Sequence, residues 1–138
     1  MATLEPYAEK KDAYLDQAEV AIEKAKSLQP NESEVIALEG FATMMRLSVD
    51  PGSRGATHAP QAQLSFNKAV ELNENNPRAL ALKAQMEFGT AQFFGSSTKD
   101  ACATNALAIE KFDTYTSENV LAPQWGRAMA ESMLNNCR

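Results

Sequence analysis

The sequence predicts an all-α chain of about six helices arranged as stacked hairpins. Three observations carry this expectation. Apolar residues recur at steps of three and four, and no segment alternates with period two for long enough to propose a sheet. Clusters of proline and glycine, as at 50–60, punctuate the periodic segments. One helical pattern also returns after a shift of 44 residues, which is the mark of a repeat array.

The first helix is expected over about residues 5–28. Leu15, Ala18, Ile22 and Ala25 share one face, while Lys11, Asp12, Asp16, Glu19 and Glu23 occupy the other. Pro6 fits a first turn, and Pro30 follows the end as a stop. The second helix is expected over 33–49 with Ser33 as its cap. Its apolar residues, from Val35 and Ile36 to Met44 and Met45, cover more than one stripe, so two of its sides should touch protein. Residues 50–60, DPGSRGATHAP, hold two prolines and two glycines and read as a loop. The third helix, 61–73, turns Ala62, Phe66, Ala69, Val70 and Leu72 inward. Asn76 caps and Pro77 opens the fourth, 77–92, with Leu80, Leu82, Ala84, Met86 and Phe88 apolar. A turn at 95–99 leads to the fifth, 100–115, and a loop at 116–122 to the sixth, 123–136, which Pro123 opens.

The repeat links these elements. A shift of 44 carries Ala18, Ile22, Ala25 and Leu28 onto Ala62, Phe66, Ala69 and Leu72. The same shift carries Ile36, Ala37, Leu38 and Gly40 onto Leu80, Ala81, Leu82 and Ala84. A further shift of 39 gives a weaker copy at Ala101, Asn105 and Ala108, with polar Asn105 in the place of Phe66. Small residues let neighbouring helices approach, and the large one fills the gap between hairpins.

This pattern resembles the tetratricopeptide repeat, whose unit is a helical hairpin of about 34 residues. The excess length here falls in residues 48–60 and 93–98, inside hairpins. The segments VDPGSRG (49–55), NNPRALALKAQ (75–85), FFG (93–95), LAPQWG (121–126) and AESMLNNC (130–137) are similar to small tetratricopeptide-like proteins of Bacteroidetes-type bacteria. The resemblance implies a right-handed αα-superhelix of about three hairpins forming one domain over 1–138, and periplasmic or exported location. It also implies a non-enzymatic scaffold or adaptor that holds a protein or peptide in a concave groove. The first helix has the features of a hairpin's second helix. The chain is therefore expected to lack the first helix of its first repeat, leaving an apolar face that invites a homodimer.

Composition excludes other classes. Thirteen basic against 18 acidic residues give a net charge of −5, which counts against nucleic-acid binding. No apolar run approaches the roughly 18 residues of a membrane span. Residues 1–12 lack the basic start and apolar centre of a secretory signal. A single histidine excludes a two-histidine zinc motif, and no catalytic or cofactor-binding constellation stands out.

By repeat register, Phe41, Met44, Met45, Gln85 and Phe88 face the groove, with Ala37, Ala81 and Gly89 beside them. The alternative is that Phe41, Met44 and Phe88 only fill space between repeats. The resemblance places a carboxylate clamp at Ala37, Phe41, Ala81 and Gln85, and none is basic, so that mode is rejected. Arg54 and His58 are the chemical groups of the 50–60 segment, candidates for binding a small ligand; otherwise Asp50 caps and Arg54 pairs with a carboxylate. Arg78 reads as a surface salt bridge between hairpins, and Trp125 as packing that shields the fifth helix. Cys102 and Cys137 fit no metal or CxxC motif. They pack as thiols, or they form a disulfide, since antiparallel fifth and sixth helices would bring them level. Self-association remains a second alternative to the adaptor role.

Overall fold

The computed structural model describes residues 6–116 and 121–137, and these are helical with no strand among them. The helices are α1 (Pro6–Leu28), α2 (Ser33–Val49), α3 (Pro51–Leu72), α4 (Pro77–Phe94), α5 (Lys99–Thr114) and α6 (Arg127–Asn136). Consecutive helices pack as antiparallel neighbours. In addition the backbones of α2 and α4, and of α4 and α6, lie close together, whereas α1, α3 and α5 have no such close approach to one another. α2, α4 and α6 thus form one row in mutual contact, the inner row, and α1, α3 and α5 the other. Of the loop expected at 116–122, residues 117–120 lie outside the described residues.

Three local expectations are corrected. The 50–60 segment is not a loop but the first half of α3, which starts at Pro51 rather than at residue 61. Pro51 stands at the first helical position, where the missing N–H costs nothing, and Asp50 accepts a hydrogen bond from Ser53 Oγ at 2.6 Å. Arg54 then fastens this turn by donating to Asp12 and to the Arg46 carbonyl, so tertiary pairing outweighs two glycines and an internal Pro60. The sixth helix begins at Arg127, not Pro123. Gly126 precedes it with φ 110°, and a Cβ there would lie 2.9 Å from Phe112 Cζ and 3.0 Å from Arg78 Cγ. Finally, α2 is capped by Glu32, whose carboxylate accepts from the Val35 N–H, while Ser33 donates to the Ala69 carbonyl at 2.6 Å.

The repeated small–large–small residues form the core. Ala62, Phe66 and Ala69 are fully buried among Ile36, Ala37, Ala79 and Leu82. Gly40 is required here: a Cβ on it would fall 2.6 Å from the Phe66 ring, so only glycine lets α2 and α3 come this close. In the next hairpin Ala84 replaces Gly40, and Asn105, smaller than phenylalanine, replaces Phe66. Asn105 is fully buried and its amide donates to the Ala130 carbonyl at 2.9 Å, tying α5 to α6.

Arg78 is the largest fully buried side chain, only 1% exposed, and so is not a surface pair as its sequence position suggested. Its Nε and Nη2 donate to the Glu34 carboxylate at 2.7–3.0 Å. Its guanidinium carbon stands 4.5 Å from the Tyr115 ring centroid, and Nη1 reaches the Trp125 carbonyl at 3.4 Å. Beside it, Asn76 caps α4 by accepting from the Arg78 and Ala79 N–H groups and donates to Ser33 Oγ. The start of α2, the end of α3, the start of α4 and the approach to α6 therefore meet at one polar node.

Among the described residues α1 has no buried side chain, and it is joined by ion pairs to α2 and α3. Arg46 pairs with Asp12, Asp16 and Glu19, Arg54 with Asp12, and Lys26 with Glu39.

Two outcomes follow from these arrangements. Glu34→Gln, which leaves Arg78 buried without its counter-charge, is expected to cost about 3 kcal/mol in urea unfolding. Arg78→Met should cost less, because Glu34 can turn to solvent; a larger loss for Arg78→Met would contradict this account of the node. The Asp12 carboxyl is held below its ordinary range, first by the hydrogen bond from Arg54 and also by the charges of Arg54 and Arg46. A depressed folded pKa contributes stability that is complete above the unfolded value of about 3.9 and is lost as pH falls through the folded value. Amide exchange in α1 should therefore rise below about pH 4 before that of α4, and equal protection of both at pH 3 would exclude this.

Candidate functional site

The 44-residue shift that relates the hairpins also generates a surface. Applied to the inner row, it carries Phe41, Met44, Met45 and Ser48 onto Gln85, Phe88, Gly89 and Gln92. Applied once more, it gives Met129, Ser132, Met133 and Asn136. The last two sets, four residues from α4 and four from α6, line one open groove of about 470 Å³. Steps of three, one and three residues keep each set on a single helix face.

The chemistry of this groove is uniform. Phe88, Met129 and Met133 supply apolar surface; Phe88 and Met133 belong to a cluster with Ala84, Ala101 and Cys137. Gln85, Gln92, Ser132 and Asn136 supply neutral hydrogen-bonding groups. No charged side chain, histidine or tyrosine is among the lining residues. Glu87, next to Phe88, turns instead towards α5, where Thr104 donates to it at 3.5 Å. Burial there pushes its carboxyl above the ordinary range, against the lowering effect of Lys83. A cleft of several hundred Å³ with an apolar floor and a few neutral polar groups is the usual form of a small-molecule site.

Of the residues singled out in the sequence, Gln85 and Phe88 line the groove together with Gly89. Phe41 and Met44 lie on α2, half-buried against the first core cluster, and Met45 is 39% exposed. Phe41 meets Trp125 edge to face, with ring centroids 5.9 Å apart. Trp125 thus also packs across the array against α2. Arg54 and His58 lie on α3 and neither lines the groove: Arg54 is committed to Asp12, and His58 Nδ1 stands 2.9 Å from Thr57 Oγ1. The α6 residues were missed by sequence reasoning. The signal for them was present, since the 44-residue shift predicts all four, but polar Ser132 and Asn136 hide the groove stripe in a short helix. A second cavity of about 410 Å³ opens between α1, α2 and α3, with Glu19, Glu23, Glu39 and Leu64 among its lining residues.

No protein-family model matches the chain, and no curated protein aligns with it. A solved structure does: the HusA haemophore from Porphyromonas gingivalis, 30% identical, with a TM-score of 0.84 over 96% of this chain. The chain spans 66% of that protein's length. These findings overturn the tetratricopeptide assignment and the protein–protein adaptor role drawn from it. Small residues around a large one recur wherever antiparallel helices pack closely, so Ala62, Phe66 and Ala69 report close packing without reporting that family. The likeness to a haemophore instead favours the small-ligand alternative.

Cys102 and Cys137 are joined by a disulfide, with Cα atoms 5.8 Å apart. It fixes the end of α6 to the start of α5, directly behind Phe88 and Met133. α6 has only ten residues and would be a marginal helix alone. The crosslink spans 35 residues, for which loop-closure entropy gives about 3–4 kcal/mol. Replacing both cysteines by serine is expected to reduce unfolding free energy by about that amount, with α6 amides losing protection first. Unchanged protection of α6 would show that the bond is dispensable to the groove wall.

Proposed function

We propose that this chain is a non-enzymatic binding protein for a planar tetrapyrrole, haem or the corresponding metal-free porphyrin, seated in the groove between α4 and α6. The likeness to the HusA haemophore over 96% of the chain carries this reading. The groove supports it: an apolar macrocycle fits against Phe88, Met129 and Met133, and its carboxylates can be met by the amides of Gln92 and Asn136 at the rim. Work outside a reducing compartment is part of the proposal, supported by the Cys102–Cys137 bond. Among the described residues no helix is long and apolar enough to cross a membrane.

The lining residues also set how the ligand is held. Haem iron is ordinarily ligated by histidine, cysteine thiolate, methionine or tyrosine. Of these only methionine lines the groove. A thioether with no histidine beside it is a weak iron ligand, so affinity is expected to come from burying the ring rather than from the iron. Protoporphyrin and haem are expected to bind with dissociation constants within about threefold of each other in absorbance titrations. Phe88→Ala should weaken both about tenfold, equivalent to about 1.4 kcal/mol, while Phe93→Ser, far more exposed and outside the groove, should change neither. Saturable binding of neither compound, or of the iron form alone, would sink the proposal.

A further inference from the structure

Gly89 stands inside α4, well away from either helix end, where glycine is less favourable than alanine. Nothing in the fold demands it. It carries no positive φ, and a Cβ built on it would meet nothing within 4 Å. Gly40, on the buried face of α2 at the position that Ala84 takes in α4, is the contrast: there a Cβ would collide with Phe66. Packing explains Gly40, and it leaves Gly89 unexplained.

The register supplies the rest. At the position of Gly89, α2 carries Met45 and α6 carries Met133. Two of the three inner helices thus place a long flexible side chain where the middle one places a hydrogen atom. Gly89 lies between Phe88 and Gln92 in the groove lining, facing Met129 and Met133 of α6. The missing side chain leaves an open notch in the side-chain surface of the groove: Gly89 is exposed, and a Cβ on it would meet nothing within 4 Å. A flat conjugated ring can lie against this bare backbone beside Phe88.

We infer that Gly89 is the shape-determining residue of the groove: its bare backbone admits the edge of a planar macrocycle, and any side chain there excludes it. This rests on the porphyrin reading and adds to it the residue that selects a flat ligand. Gly89 is a positioning feature defined by absence, so substitutions should separate binding from folding.

The experiment compares wild type, Gly89→Ala, Gly89→Met and Gly52→Ala. Gly52 is exposed, lies at the start of α3 outside the groove, and its Cβ would also meet nothing within 4 Å. Melting temperatures come from circular dichroism and affinities from protoporphyrin IX titration. Gly89→Ala is expected to melt at or above the wild-type temperature yet bind several-fold more weakly. Gly89→Met, which installs the side chain found at the equivalent positions of α2 and α6, is expected to bind at least tenfold more weakly while remaining helical. Gly52→Ala should bind as wild type does. Wild-type affinity in both Gly89 variants, with Phe88→Ala still impaired, would overturn the notch and leave the porphyrin reading standing. No binding by wild type itself would overturn both. A lowered melting temperature in Gly89→Ala would also overturn the inference, because it would show a structural need for glycine.

Discussion

The buried ion pair of Arg78 and Glu34 is the constraint around which the array is organised. A guanidinium taken out of water loses solvation that only close, well-directed partners offset. Arg78 has them: the Glu34 carboxylate, the face of Tyr115 and the Trp125 carbonyl. Each partner comes from a different part of the chain. Satisfying one side chain therefore sets the start of α2 against the start of α4, and draws the end of α5 and the approach to α6 over both. Gly126 is part of the same constraint, since a side chain there would strike Arg78 and Phe112. The groove between α4 and α6 has its position because the segment leading into α6 must cross this node.

The repeat gives three inner helices one register but not one chemistry. The core positions compensate one another. Where α2 has Gly40, α3 has the large Phe66; where α4 has Ala84, α5 has the smaller Asn105. Asn105 then uses its polarity to bond the Ala130 carbonyl, which a phenylalanine cannot do. The degenerate third copy is thus a substitution of one fastening for another. On the inner surface no such compensation is required, and the same register reads phenylalanine, glutamine and methionine at its first position.

Two different kinds of fastening hold the ends of the array. α1 is attached through charges at its surface, which pH and salt can weaken. α6 is attached through a covalent bond and a buried amide, which they do not. The groove is built at the covalently fastened end, so its geometry is insulated from the end that titrates. The groove lining carries no charged side chain although the chain has a net charge of −5.

Local pattern alone determined the all-α class, the six helices, the small–large–small core residues and the cap at Asn76–Pro77. These depend on interactions within a few residues, and periodicity reports them directly. Two of the groove residues, Gln85 and Phe88, were also legible, because the repeat places them on one face. The helix over 51–60 was not, since the proline and glycine signal there is overcome by Arg54 reaching Asp12, 42 residues away. The burial of Arg78, the late start of α6 and the placement of Trp125 against Phe41 were equally hidden, because each arises from groups distant in sequence. Identity of the family was misread for a related reason. Sequence shows that helices pack closely; only the assembled inner surface shows what they pack around. The sequence by itself therefore decided the helical class, the number of helices and which residues are small. The tertiary structure decided which charges are buried and where a groove opens, because desolvation and enclosure exist only once the helices are together.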